Sequence, residues 1–349
     1  MHLPRARGPL SSAVLAVLSG DRTLDVEAFV TTAADIDDAD LLLDEDVQLS
    51  LWVLYELHYR GFDVDADLEW DPALLHVRRV LEDRLLDQLR RDTAHWVDSA
   101  ASASGDLASR LFDLTEDVPG APLAAFMQRQ ATHEQFVEYL THKSVYHLKE
   151  SDPQSFVLAR LTGPPKVALA ELQYDEYGAG RPDRLHQNLF AEGMVAAGMD
   201  PEYGAYLDVV PASTLAVSNV MNLLVLRRSL APAAMGHLGA FEATSSEPCR
   251  RIAGGCRRLG LPDAVASYFD EHVEADAVHE QLAFRNICAA LAEDDPTVEE
   301  DILFGAAAYL YTEALAGQAM LDAWESRSTS LIGDDGLADN ELDPVGVAS

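Results

Sequence analysis

The chain has 349 residues, of which 48% are hydrophobic, so it is long enough to bury a sizeable core and to form about two domains. Asp and Glu number 59 against 25 Lys and Arg, and the resulting net charge of −34 argues against nucleic acid or a membrane surface as a partner. The three cysteines form no CxxC pair, which argues against a disulfide framework or thiolate zinc site and favours a cytoplasmic location.

Helical periodicity begins close to the N-terminus. Residues 1–45 hold a short helix candidate and an acidic stretch, and residues 50–59 have the composition of a buried helix that ends at Gly61. Pro72 opens an amphipathic segment with apolar residues at helical spacing. The region 100–122, which contains Ser, Gly and Pro, is the predicted domain boundary.

Helical patterns dominate the rest of the chain, and no alternating strand pattern or internal repeat interrupts them. The sequence therefore predicts an all-α protein with a helical N-terminal extension over 1–125, a helical domain over 126–327 and a polar, disordered tail over 328–349. Helices are predicted near 132–149, 153–162, 165–178, 183–197, 211–228, 232–245, 262–283 and 297–325, with breaks at 163–165, 178–182 and 254–255.

The strongest candidate site is the segment from His272 to His279, which also contains Asp276. These three residues stand at i, i+4 and i+7, so they fall within roughly a 60° arc of one helix face. Imidazoles with a carboxylate suit iron, manganese or zinc, whereas an iron–sulfur cluster would need nearby cysteines. Taken alone, the segment is equally well explained by buried structural histidines on an acidic helix.

A second candidate is the pair Glu176 and His186, whose intervening segment contains two glycines and a proline. A straight helix would not place these two side chains on one face, and the glycines and proline argue against a straight helix. A locally unwound helix could direct both at one centre. Taken alone, the pair is better explained by a loop with a helix cap at Asp183.

Together, the Glu-x9-His spacing and the downstream His-x3-Asp-x2-His resemble the haem-oxygenase-like di-iron oxidases and oxygenases, many of which are known only as iron-containing redox enzymes. The resemblance covers about residues 130–325 and implies a seven-helix bundle that binds two irons instead of haem. It also implies a carboxylate at Glu242, on the preceding helix, and a further one at Glu150, as in the N-oxygenating members. The stretch before it, including ELHYRGF at 56–62, resembles an N-terminal extension of some members to which we attach no function.

The resemblance implies a complete set of ligands, in which Glu150 is additional or mobile. The four carboxylates balance the four positive charges of two ferrous ions, as a low-dielectric bundle requires, and a manganese–iron pair stays open. The implied metal ligands are Glu150, Glu176, His186, Glu242, His272, Asp276 and His279.

The activity implied is the use of O2 to oxidise a small molecule such as an amino acid, an amine or a fatty acid, and Glu150 favours N-oxygenation. Arg181, beside the ligands, either pairs with a substrate carboxylate or forms a surface ion pair. The sequence leaves the substrate and the electron donor open. The N-terminal extension is expected either to cover the bundle or to build a homodimer interface.

Three alternatives share the helical class. A haem oxygenase would need a haem-binding histidine on its first helix and none of the further ligands. Ferritin-like iron storage uses two Glu-x-x-His motifs on bundle helices, but Pro153 stands at that offset from Glu150. A cofactor-free thiaminase-like relative would have lost the ligands that this sequence retains.

Overall fold

The computed structural model of the chain describes residues 1–39 and 41–333, without the side chains of residues 274–277. Every regular element within these residues is helical, which confirms the all-α class. The N-terminal third forms α1 (Pro9–Leu18), α2 (Val26–Ala34), α3 (Glu45–Glu56), α4 (Pro72–Ser102), α5 (Leu107–Asp117) and α6 (Leu123–Arg129).

The remaining helices build the bundle that carries the candidate site. A π-helical stretch at Leu282–Ala289 joins α14 to α15 without a break in the chain direction. The helices are α7 (His133–His147), α8 (Asp152–Leu158), α9 (Gly163–Glu176), α10 (His186–Ala196), α11 (Ala212–Leu226), α12 (Ala231–Ala243), α13 (Ser246–Leu259), α14 (Asp263–Gln281), α15 (Ala290–Asp294) and α16 (Glu299–Glu325).

Local capping chemistry sets where two of the main helices begin. The Asp71 carboxylate accepts hydrogen bonds from the first backbone N–H groups of α4, and Pro72 occupies the first helical position, where no N–H is needed. Thr132 and Gln135 form a reciprocal capping box at the start of α7. The helices predicted from the sequence begin within a few residues of their expected positions.

The predicted break at Gly254 and Gly255 was wrong, because α13 runs through both residues. A Cβ added at Gly255 would lie 2.5 Å from the backbone oxygen of Met127, at the contact between α13 and α6. The glycine therefore serves close helix packing there. Glycine tends to favour turns, but here the close contact between the two helices, which any side chain would prevent, outweighs that preference.

The N-terminal extension and the bundle share one hydrophobic core, whose buried side chains run from Leu10 to Trp324. Helix α3 packs against α11, while α4 and α5 both pack against α16. The extension thus covers the bundle over three helices. The division of the chain near residue 125 stays a prediction, as does a homodimer.

The first residues of the predicted tail are attached to the bundle. Ser330 donates through its backbone N–H and its hydroxyl to the Glu138 carboxylate, and the N–H of Ile332 donates to the carbonyl of Val209. Residues 334–349 lie outside the described part of the chain, so disorder there stays a prediction. None of the described helices combines the length and apolar character needed to cross a membrane.

Candidate metal centre

Six of the seven implied ligands converge in the bundle, and none of the six is more than 4% exposed. They come from five segments: the turn after α7, the last residue of α9, the first residue of α10, the end of α12 and one face of α14. The six are Glu150, Glu176, His186, Glu242, His272 and His279.

The break between α9 and α10 is what brings Glu176 and His186 together. Two short 3₁₀ turns separate the helices, and Gly178 between them has a φ of 72°. A Cβ at Gly178 would lie 2.7 Å from the backbone carbon of Arg184, so the reversal is open only to glycine. The segment is therefore a loop of two 3₁₀ turns that brings both side chains to one place, and the predicted helix cap at Asp183 was wrong, because Leu185 is the residue that precedes α10.

The six side chains form two groups that share Glu176. One group holds Glu150, Glu176, His186 and His272, and the other holds Glu176, Glu242 and His279; within each group the nearest donor atoms lie within 4.8 Å of one another. Oε2 of Glu176 lies 3.0 Å from Nδ1 of His186, and Oε1 lies 3.4 Å from Nδ1 of His279. The two oxygens of one carboxylate thus face the two groups.

Helix α14 contributes one imidazole to each group. Nδ1 of His272 lies 2.7 Å from the backbone oxygen of Tyr268 and must donate to it, which leaves Nε2 to face Glu150 at 3.6 Å. Nε2 of His279 lies 3.5 Å from Asp175, and its Nδ1 faces Glu176 and Glu242 at 3.4 Å each. A neighbouring oxygen acceptor therefore orients each ring.

Glu150 is held by an aromatic hydroxyl and two imidazoles. The Tyr268 hydroxyl lies 2.8 and 2.9 Å from the two carboxylate oxygens, and Nδ1 of His147 lies 2.9 Å from Oε1. Burial alone would raise the pKa of Glu150, but the charges and hydrogen bonds of His147 and His272 outweigh it and hold the pKa well below its usual range. The carboxylate is therefore held in its charged form.

The pKa values of the other two carboxylates shift in opposite directions. Burial raises the pKa of Glu242 and the nearby charge of Glu176 adds to the effect, although the hydrogen bond from His279 opposes it. For Glu176 the same burial is outweighed by the charge and hydrogen bond of His186, so its pKa is lowered. Added positive charge at the centre would favour the charged form of Glu242.

The donor set fits a pair of iron ions. In the described part of the chain, every ion pair of Glu150, Glu176 and Glu242 is with a histidine and none is with Lys or Arg. Buried carboxylates without such partners are costly unless cations join them. Oxygen and imidazole-nitrogen donors suit divalent iron or manganese.

Of the two remaining predicted site residues, one has no described side chain and the other forms a surface ion pair. The side chain of Asp276 lies outside the described residues, so its role as a ligand stays a prediction. The guanidinium of Arg181 is 60% exposed and pairs with Asp183 at 2.6 Å. The surface ion pair, one of its two interpretations, is thus the interaction that it makes.

A cavity of about 270 Å³ opens beside the centre, where His147, Tyr268 and His272 form part of its wall. Its other walls are mainly aromatic and apolar, with one cation and one anion, Lys143 and Glu313, which pair at 3.1 Å. Tyr268, Asp175 and this ion pair are not among the residues predicted from the sequence. No local pattern could have found them, because each acts through a partner far away in the chain.

The chain is similar to known proteins over this same region. A family model described as iron-containing redox enzyme matches residues 137–314. A nitrosourea synthase from Streptomyces achromogenes subsp. streptozoticus is 24% identical over 242 residues, which cover 67% of this chain and 50% of that protein. The chain thus spans about half the length of this curated relative.

The fold also has a counterpart among solved structures. A CADD-like protein of unknown function from Nostoc punctiforme PCC 73102 aligns with a TM-score of 0.50 at 17% identity, covering 62% of this chain and 96% of that one. At this identity the similarity shows a shared helical fold and nothing about activity.

Proposed function

The chain belongs to the iron-containing redox enzyme family and has its all-α, haem-oxygenase-like fold, and we propose that it is a non-haem di-iron oxidase or oxygenase that uses O2 to oxidise a small molecule. Its class as an oxidoreductase follows from the family. Beyond the family, we propose the number of metal ions, the use of O2 and the class of substrate.

One observation carries the two-ion proposal: the carboxylate of Glu176 turns one oxygen to each of two ligand groups. A carboxylate placed in this way would be able to hold two cations at once. A single-ion site would need only one of the groups. The second group, with Glu242 and His279 fully buried, would then be an unexplained concentration of charge.

A pair of ferrous ions, when bound, supplies the electrons that reduce O2. The chain's own residues orient and shield that centre. The Tyr268 hydroxyl donates to Glu150, and burial together with the charge of Glu150 raises the pKa of Tyr268 well above its usual value, so the phenol keeps its proton at neutral pH. Aromatic side chains such as Phe241 and Phe269 line the cavity beside the centre.

The cavity supports a small substrate with an amine and a carboxylate. Lys143 and Glu313 are about one-fifth and one-quarter exposed, so their ion pair can be exchanged for contacts with opposite charges on a ligand. The apolar walls of the cavity would hold the rest of the substrate. This combination favours an amino acid or a related amine over an uncharged hydrocarbon.

Oxidation at nitrogen is the finer part of the proposal. The name of the Streptomyces relative, nitrosourea synthase, denotes the synthesis of a nitrosourea, a compound with an oxidised nitrogen. The buried position of Glu150 beside His272 is consistent with its role as the additional carboxylate of the N-oxygenating members. Both points favour N-oxygenation over desaturation or C–C cleavage.

The test combines metal binding with reaction. We expect the protein to bind about two Fe(II) per chain in an anaerobic titration, and then to give a transient visible absorption band on rapid mixing with O2. The decay of that band should accelerate with one class among a panel of amino acids, amines and fatty acids, and mass spectrometry should show an oxygenated nitrogen.

Glu176→Gln is the decisive variant, with Glu171→Gln as its matched control. Glu171 lies on the same helix but is exposed, so its variant should retain both ions and the transient band. Glu176→Gln should bind at most one ion tightly and give no band. One ion per chain in the unmodified protein would refute the two-ion site, many ions would indicate storage, and a haem Soret band after reconstitution would indicate a haem oxygenase.

A further inference from the structure

A fully buried ion pair joins the N-terminal extension to the candidate centre. Glu56, the last residue of α3, is 0% exposed, and Lys149, in the turn after α7, is 1% exposed. Nζ of Lys149 lies 3.0 Å from Oε2 of Glu56, and the Tyr203 hydroxyl donates to the same oxygen at 2.7 Å. The extension thus reaches the turn that carries Glu150.

Three aromatic rings surround the ammonium group. Nζ of Lys149 lies 4.3 Å from the ring centroid of Tyr59, 5.4 Å from that of Trp52 and 5.5 Å from that of Tyr203. Aromatic faces attract a cation, and rings on several sides restrict where its head can move. Two of these rings, like Glu56, belong to the N-terminal extension.

The neighbouring residues of the turn face the metal centre. Glu150 directs its carboxylate to Tyr268, while the hydroxyl of Ser151 donates to Glu176 at 2.8 Å. Gln187 donates to the backbone oxygen of Glu150, also at 2.8 Å. The backbone of this turn is therefore held on one side by Lys149 and on the other by the carboxylate cluster.

Stability alone is a poor explanation for this ion pair. Burying two charges costs about as much as their attraction returns, and apolar replacements of such pairs are often neutral or stabilising. In addition, Oε1 of Glu56 is buried and accepts no hydrogen bond from the described residues. A pair with so small a net contribution is better explained by the position that it fixes.

We propose that Glu56 is a positioning residue for the metal centre: through Lys149 it holds the turn in the conformation from which Glu150 reaches the metal ions. This inference rests on the proposed function, because it takes Glu150 as a ligand. It gives the N-terminal extension a role in the chemistry of a site that lies wholly within the bundle.

The test is a double-mutant cycle between Glu56→Gln and Glu150→Gln, read out by anaerobic Fe(II) titration and by the ligand-field spectrum of the bound Fe(II). Glu56→Gln should weaken one of the two ions by about 10–100-fold, the range found when outer partners of ligands are removed, and should shift the spectrum in the same way as Glu150→Gln. The double variant should bind Fe(II) no more weakly than Glu150→Gln alone, because both changes remove the same contact.

Glu82→Gln is the matched control. Glu82 is a buried carboxylate of α4 that pairs with Arg78 at 3.2 Å and with Arg227 of the bundle at 3.9 Å. It also connects the extension to the bundle, but it does not reach the centre. Its variant should lower the urea midpoint of the metal-free protein without changing either iron readout.

The outcomes separate this inference from the proposed function. If Glu150→Gln leaves both iron readouts unchanged, Glu150 is not a ligand, and the inference fails together with that part of the proposal. If Glu150→Gln alters them but Glu56→Gln behaves like Glu82→Gln, only the positioning role is refuted. Should Glu56→Gln fold poorly, Tyr203→Phe, which removes one hydrogen bond to Glu56, must shift the spectrum in the same direction by a smaller amount, and an unchanged spectrum refutes the role.

Discussion

The buried histidines differ in whether a buried carboxylate lies next to them. His186 and His279 lie against buried carboxylates, whereas His142 bonds to the hydroxyls of Thr214 and Ser330. Burial lowers the pKa of His142 to about 4. Because a buried cation without an opposite charge is costly, such a residue remains neutral in the folded chain.

His237 is the extreme case, and burial lowers its pKa to about 3. The unfolded chain takes up a proton at this residue below a pH of about 6.5 and the folded chain does not, so stability should fall as the pH drops from 6.5 towards 3. Between pH 7 and pH 5 this residue alone should lower the free energy of unfolding by about 2 kcal/mol. Urea denaturation of His237→Phe at both pH values should show a loss smaller by that amount.

The exposed His76 provides the control for this measurement. Its side chain is exposed, so His76→Phe removes one imidazole without changing the core. Equal losses for both variants would show that His237 does not contribute to acid destabilisation.

Among the elements of the fold, the break between α9 and α10 most directly sets the geometry of the candidate centre. Helix α9 ends at Glu176 and α10 begins at His186, so both proposed ligands stand at helix ends where the backbone can turn them inward. In the metal-free chain the charge of Glu150 repels that of Glu176 at the end of α9. We therefore expect residues 177–185 to exchange amide hydrogens more slowly once Fe(II) is bound.

Gly178→Ala should weaken Fe(II) binding strongly, whereas Gly180→Ala should not. Both glycines have a positive φ, of 72° and 78°, so both variants incur the strain of that conformation. Only at Gly178 does a Cβ meet backbone atoms, since at Gly180 the nearest atoms are those of the Tyr174 ring at 3.7 Å. Anaerobic Fe(II) titration and hydrogen exchange over residues 177–186 would measure the difference, and equal affinities would contradict it.

The whole molecule combines one continuous hydrophobic core with a net charge of −34. Repulsion between like surface charges destabilises the compact state, and dissolved salt screens it. Surface ion pairs such as Arg79 with Asp83 are screened as well, but acidic residues outnumber basic ones 59 to 25, so relief of repulsion should prevail.

We therefore expect the melting temperature to rise by several degrees with added NaCl, mostly between about 0.01 and 0.15 M, where the screening length falls from about 30 to about 8 Å. KCl should act equally, because screening depends on ionic strength and not on the cation. Sucrose at the same osmolality should not reproduce the salt curve. A flat or falling melting temperature would show that attractive ion pairs outweigh the repulsion.

Much of the fold and part of the site could be predicted from local patterns. The positions of most bundle helices, the break after Glu176 and the common face of His272 and His279 follow from residue spacing along a few turns, but no helix was predicted where α13 lies. The passage of α13 through Gly255 could not be predicted, because Met127, the residue that makes a glycine necessary there, is distant in sequence.

Composition and periodicity are properties of neighbouring residues, and they were enough to predict the helical class, the acidic surface and the polar side chains available as ligands. They could not show that Glu176 faces two groups, that residues 115–124 help to enclose the cavity or that Lys149 contacts Glu56, 93 residues away. Such contacts depend on how helices pack, and packing is set by the whole core and by no local spacing.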